Sequence, residues 1–315
     1  MTVTVDLLCV GYGAGALGAA VLAARRNWSV MYVDALPAPR LPRASDRRQS
    51  PWTRALADRW GLDDLSPETR AYVKEMTVDL TAPDTAKATQ RLSITKLERP
   101  APPYRPSSGA VPPFHGARLR TWARQCLTEP TGLISSHVCL PGTFSARSIS
   151  GQEIEVSDIV SLPRTGLGEA DLHAWLLGHA RAQRVQIIGG EALHELLFQD
   201  GHPAGGIIDG PAGKRVVWTR HGVVLGIGTS SAPHRSEHPG AQLPAGTRLC
   251  LISRSASRFS RLELIGDQDL PSPRLRTPAR RNRPQSAIHH DQHAHSGVDI
   301  SRPRRWQLSH RRATW

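Results

Sequence analysis

Cysteine is scarce in this chain. Cys9, Cys126, Cys139 and Cys250 are the only four among 315 residues, and no two form a CxxC pair. That spacing argues against a zinc ribbon or a disulfide framework and reads as buried free thiols. Long apolar runs are also missing. None reaches the roughly 18 to 20 residues that a membrane-spanning helix needs. Met1 leads straight into an apolar strand with no basic region or cleavage site before it, so no membrane partner and a cytoplasmic location are expected.

Lysine is absent from the last stretch of the chain, which holds most of the net charge. Residues 271–315 carry ten Arg against two Asp, +8 of the formal +13, leaving only +5 for the other 270 residues. The same stretch has five Leu, Ile or Val and no helical or alternating period, too little apolar surface to offset its ordering entropy. A disordered basic tail is expected over 271–315. Electrostatic attachment to nucleic acid is one reading of it. Metal binding by His289, His290, His293 and His295 is another, but these have no fixed ligand geometry, so no metal site is assigned. We favour a third reading, in which Arg, Pro, Ser and His without Lys reflect a GC-rich gene read out of frame. Nucleic acid is thus the disfavoured partner.

What the sequence does contain is concentrated at its start. Val3 to Val10 reads as a strand, GYGAGALG as a turn leading into a helix that runs to Asn27, and Ser29 to Asp34 as a second strand. Such a unit binds dinucleotides: a first glycine turns the chain sharply, a second lets backbone amides approach a pyrophosphate, and the helix directs its positive end at the phosphates. An acid roughly 20 residues after the glycines accepts hydrogen bonds from a ribose. Asp34 stands there, and its charge makes NADP the least expected occupant. The glycines allow two phasings, Gly11/Gly13/Ala16 or Gly13/Gly15/Gly18. The first is preferred because the apolar strand runs directly into Gly11. A glycine-rich turn that only packs a helix on a sheet is the bland alternative.

Further along, residues 36–52 read as a Pro/Arg-rich break. Ser66-Pro67 caps a helix with Tyr72, Val73, Met76 and Leu80 on one face. Residues 90–97 are expected as a strand and Pro100 to Pro113 as an extended loop. Arg118 to Leu127 should be an amphipathic helix, with Leu119, Trp122, Ala123 and Cys126 inward and Arg118, Arg120 and Arg124 outward. Strands are expected at 133–139, 144–149 and 153–160, then a helix over 169–183 and a strand over 185–188. Short strands at 192–198, 204–208 and 215–218, with glycine turns between them, read as a β-meander. Gly222 to Gly228 reads as a buried parallel strand that returns to the first sheet. Residues 247–253 and 258–265 add two more. His115, His137, His173 and His194 are isolated in the sequence, so no catalytic acid or base is named.

VDLLCVGYGAGALGAA with Asp34, ADLHAWLLGHARAQRVQIIGGEALHELLFQDGHPAGGIIDG and HGVVLGIG together resemble the FAD-binding half of flavoprotein oxidoreductases of the fumarate reductase and 3-ketosteroid dehydrogenase type. The likeness covers residues 3–35 and about 168–230. It implies an α/β fold, an FAD/NAD(P)-binding Rossmann-like three-layer architecture with an inserted β-meander, occupying residues 1–270. It implies FAD as cofactor, a small-molecule substrate and oxidation or reduction of a carbon-carbon bond. Cofactor-binding positions would be Gly11, Gly13, Gly15, Ala16 and Asp34, with Ala192 near the adenine and Gly226 and Gly228 near the flavin. Residues 37–51 contain no glycine where the family has a Gly-Gly-Ser/Thr loop, and nothing after Pro271 resembles its cap or last FAD strand. A truncated, catalytically empty remnant that keeps a nucleotide and an NAD-dependent dehydrogenase stay open beside the flavoenzyme reading. Loss of the last strand would leave an apolar sheet edge.

Overall fold

The computed structural model describes residues 1–34, 50–60, 62, 65–78, 80, 92–98, 115–136, 140, 142–163, 172–210, 213–228 and 246–266. The chain divides into Met1–Thr277 and Pro278–Trp315. The second unit lies outside the described residues, as do the whole basic tail, the loop expected at 100–113, His137 and Cys139. Elements follow in the order β1 (Thr2–Val5), β2 (Leu7–Val10), α1 (Ala14–Ala24), β3 (Val30–Asp34), α2 (Pro51–Trp60), α3 (Pro67–Met76), β4 (Ile94–Thr95), α4 (His115–Thr128) and β5 (Gly132–Ser135). Then come β6 (Thr143–Arg147), β7 (Glu153–Ser161), α5 (Leu172–Ala182), β8 (Gln186–Gly189), β9 (Ala192–Gln199), β10 (His202–Gly210), β11 (Gly213–Thr219), β12 (Val223–Gly226), β13 (Arg248–Ser253) and β14 (Phe259–Ile265).

The fold is α/β, built on a large mixed sheet. Its parallel part runs β8-β3-β2-β12, with Leu7 opposite Val30, Asp34 opposite Gly189 and Leu225 opposite Val10. Alternation along β2 sends Leu7 and Cys9 into one core and Leu8 and Val10 into the other, so the strand is buried on both faces as a central parallel strand must be. α1 and α5 cover one face, where every residue of α1 is buried. Its run of Ala and Gly without charge follows from that burial. Residues of α2, α3, α4 and the β9-β10-β11 meander fill the other face, giving the three-layer arrangement.

Beyond β12 the sheet continues antiparallel through β5, β14, β13, β7 and β6. β12 is thus no sheet edge: β5 pairs with it, with Leu225 opposite Ile134. On β13, Arg248 donates through Nε and Nη2 to the two carboxylate oxygens of Asp158 on β7, at 2.6 and 2.7 Å.

Three other expectations change. The break expected over 36–52 gives way at Pro51 to α2, whose Trp52, Leu56 and Trp60 are buried. The strand expected over 90–97 shrinks to Ile94–Thr95, held against β14, and a bridge from Leu97 to Ser148. The single strand expected from Val3 to Val10 is two strands in different sheets. β1 pairs in parallel with β11, and β2 lies in the main sheet. Asp6 makes the break. Its amide donates to Ser29, its carboxylate accepts from the Ser29 amide at 2.8 Å and hydroxyl at 2.8 Å, and Arg220 donates to it at 3.0 Å.

The Ser29 N–H holds the Asp6 carboxyl below its ordinary pKa, with help from Arg220 and against the opposing effect of burial. A group depressed on folding contributes stability above its unfolded value, about 3.9, and loses it as pH falls through the folded value. Asp6→Ala should therefore lower the urea midpoint at pH 7, and the difference from the parent should narrow towards pH 3. A difference constant across that range would show that the carboxylate charge does not hold the bend.

Candidate functional site

Val10 ends β2 and Ala14 starts α1, leaving three residues to reverse the chain. Gly11 and Gly13 do so at φ 124° and 121°, backbone that side chains other than hydrogen rarely permit. The missing side chains also let segments touch. A Cβ on Gly11 would lie 3.0 Å from the Gly226 carbonyl oxygen, and one on Gly13 would lie 3.1 Å from the Gly228 Cα. Gly228 itself faces the carbonyl oxygens of Tyr12 and Pro130, at 2.5 and 2.9 Å from where its Cβ would stand. The Cβ of Ala16 fills the space that a side chain on Gly226 would need, at 2.9 Å.

Gly15 and Gly18 lie inside α1, and their open positions meet the Thr131 carbonyl oxygen at 2.6 Å and the Leu262 side chain at 3.0 Å. Gly11, Gly13, Gly15, Ala16, Gly226 and Gly228 thus come together where β2 and β12 end and residues 130–132 lead into β5. Ligands of open α/β sheets bind outside this carboxyl end of the parallel strands. The N-cap of α1 is Gly13, which has no side chain to bond the first amides, and the first turn holds no acid. The positive end of the helix therefore has no side-chain cap from Gly13 and no offsetting acid within its own first turn.

Asp34 ends β3 at the same edge, its side chain 20% exposed. Its neighbour Tyr32 reaches back: the phenol oxygen lies 3.1 Å from the Gly11 carbonyl oxygen and 3.2 Å from Asp34 Oδ1. His173, at the start of α5, places Nε2 3.3 Å from that phenol and 3.9 Å from Asp34 Oδ1, and its ring stacks on Tyr12 at 5.2 Å. Burial, and then the Asp34 charge, raises the Tyr32 phenol well above its ordinary pKa, so it stays protonated. Ala192 opens β9, three residues past Gly189, the register partner of Asp34. Its backbone is thereby placed on the Asp34 side of the sheet.

Trp60 is a member of this neighbourhood with no expectation attached to it. Its indole N–H donates to the Gly226 carbonyl oxygen at 2.8 Å, so α2 is fastened to the end of β12 beside the glycine turn. The spacing Trp52, Leu56, Trp60, one turn apart each time, was its signal. Among the histidines, His194 sits between Asp209 at 3.0 Å and Lys214 at 2.7 Å on the exposed meander, so it is paired and not isolated. Cys9, Cys126 and Cys250 are buried and in no disulfide, and burial pushes Cys9 and Cys126 upward, which keeps both as unreactive thiols. Among the described residues no cluster of His, Cys, Asp and Glu could hold a metal ion, and no helix is long and apolar enough to cross a membrane.

No family model matches the chain, and no curated protein matches it. Solved structures do share parts of its path. A geranylgeranyl bacteriochlorophyll reductase-like protein from Thermoplasma acidophilum is 13% identical over 70% of this chain and 38% of its own, at TM-score 0.26. The FAD-dependent chondrochloren halogenase from a myxobacterium is 12% identical over 84% of this chain and 53% of its own, at TM-score 0.27. The 3-ketosteroid-Δ4-(5α)-dehydrogenase from Rhodococcus jostii RHA1 is 15% identical over 70% and 45%, at TM-score 0.26. The chain thus spans from 38% to 53% of the length of these three structures.

Proposed function

We propose that this chain binds FAD at the β2-α1-β3 unit and serves as a flavin-dependent oxidoreductase on a small-molecule substrate. The observation that carries the reading is the meeting of a glycine turn, a helix N-terminus without a side-chain cap and the Asp34 carboxylate at one end of a parallel sheet. These residues suit the ADP half of a dinucleotide. Amides of Gly13, Ala14 and Gly15 would meet the pyrophosphate, Asp34 would accept from the ribose, and Ala192 would lie towards the adenine. Gly226 and Gly228 would bring backbone near the flavin. Flavin, when bound, supplies hydride transfer to or from a substrate carbon, here a carbon-carbon bond by the family resemblance. The chain's own part is to bind and orient. Residues 1–270 would form the FAD-binding domain and 271–315 a basic tail.

A chain that holds a nucleotide without turnover, or one that uses NAD, is the second reading. FAD and NAD share the ADP half that this unit would meet, so the glycine turn and Asp34 serve either dinucleotide. The experiment is the visible absorption spectrum of the purified chain after incubation with excess FAD and desalting. A flavin band retained by the parent and lost in Asp34→Asn and Gly13→Val supports the proposal, and Asp34→Asn adds no bulk to the turn. Folded protein that keeps no flavin but binds ADP or NAD would replace it with the second reading.

A further inference from the structure

The Tyr32 phenol has one proton and three neighbours within 3.3 Å: the Gly11 carbonyl oxygen, Asp34 Oδ1 and His173 Nε2. Two of the three can only accept, because a carbonyl and a carboxylate have no proton to give. Every contact can be satisfied together only if His173 donates. The order is then His173 Nε2–H to the phenol oxygen, and the phenol O–H to Asp34 Oδ1, shared with the Gly11 carbonyl. Hydrogen-bond geometry, and not the ring alone, thus fixes which imidazole nitrogen carries the proton.

The relay has a second attachment. The His173 ring stacks on Tyr12, the residue between the two positive-φ glycines, at an interplanar angle of 27°. One side chain at the start of α5 therefore touches the middle of the glycine turn with its face and the phenol that bonds Asp34 with its edge. It is 13% exposed, so the arrangement is largely shielded from water. One oxygen of Asp34, Oδ1, accepts from Tyr32, so Oδ2 would be the oxygen to meet a ligand.

We infer that His173 is a positioning residue for ribose recognition: acting through Tyr32, it fixes the Asp34 carboxylate so that its second oxygen meets the ribose 2'-hydroxyl of a bound adenine nucleotide. This rests on the reading of β2-α1-β3 as a nucleotide site. It adds that recognition of the sugar depends on α5, a segment 141 residues from Tyr32 in the sequence.

The test compares the binding of ADP and 2'-deoxy-ADP to the full chain by calorimetry. The parent should prefer ADP, and Asp34→Asn should abolish most of that preference. His173→Ala should reduce the preference roughly tenfold, the effect of losing one hydrogen bond to a charged group. Tyr32→Phe should do the same, and His173→Gln, whose amide can still donate, should restore it. A purely structural role would weaken both ligands alike and leave their ratio intact, and that result in folded His173→Ala and Tyr32→Phe overturns the inference. A parent that binds ADP without preference over 2'-deoxy-ADP also overturns it. A folded parent that binds neither ligand instead sinks the nucleotide-site reading, and the inference with it.

Discussion

Gly228→Ala is expected to cost about 3 kcal/mol or more, the upper end for overpacking, and to abolish flavin retention with it. The added methyl would stand 2.5 Å from the Tyr12 carbonyl oxygen and 2.9 Å from that of Pro130. Both are backbone atoms, so no side-chain rotation relieves the overlap. The glycine turn and the Pro130 backbone must both draw back from Gly228, and movement of the turn disturbs the amides at the helix N-terminus. Gly178→Ala is the matched control. That glycine lies inside α5 with nothing within 4 Å of its open position, so the change should stabilise by about 0.5 to 1 kcal/mol through helix propensity. Urea denaturation of both variants checks the pair. Equal midpoints would mean that the close approach of Gly228 to the turn is not maintained in solution.

Arg248→Ala should cost about 3 to 5 kcal/mol, because it takes from the buried Asp158 carboxylate the guanidinium that meets both its oxygens. Asp158 has 5% of its side chain exposed and Arg248 17%, and the guanidinium meets both carboxylate oxygens. The pair itself need not be a net source of stability, since desolvating two ions offsets most of their attraction. Replacing both, Arg248→Met with Asp158→Leu, should therefore recover most of what the single change loses. A double variant as unstable as the single one would show that the lost contribution is packing and not the pairing of the two charges.

What the sequence disclosed, and what it hid, follows the distance over which each feature is decided. The β2-α1-β3 unit is local: Gly11, Gly13 and Asp34 lie within 34 residues, and strand, turn and helix each have their own short-range signature. The meander was equally legible. Its strands alternate and its turns contain glycine, so β9, β10 and β11 fall within a few residues of expectation. Helix α2 was obscured by the Pro/Arg-rich composition before it, although Ser50 caps it by accepting from the Thr53 amide at 3.1 Å. The place of β5 was not readable at all, since its pairing with β12 and β14 joins segments about 90 and 125 residues apart, a tertiary choice that strand propensity does not encode. His173 was unremarkable for the same reason: Tyr12, Tyr32 and Asp34, which it meets, come from the β2-α1-β3 unit, far earlier in the chain.

The bend at Asp6 carries a kinetic consequence. Because the chain changes sheets there, β1 must find β11 while β2 must find β12, with Thr2 opposite Val216 and Leu8 opposite Val223. Both docking events close loops of more than 200 residues, and loop closure has to precede the contacts that compensate for it. The segment that looks most autonomous in the sequence is thus expected to be among the last completed as the protein folds. Before that pairing forms, β2 would carry one ladder of backbone groups unpaired, and a chain in that state would be open to association with its own kind.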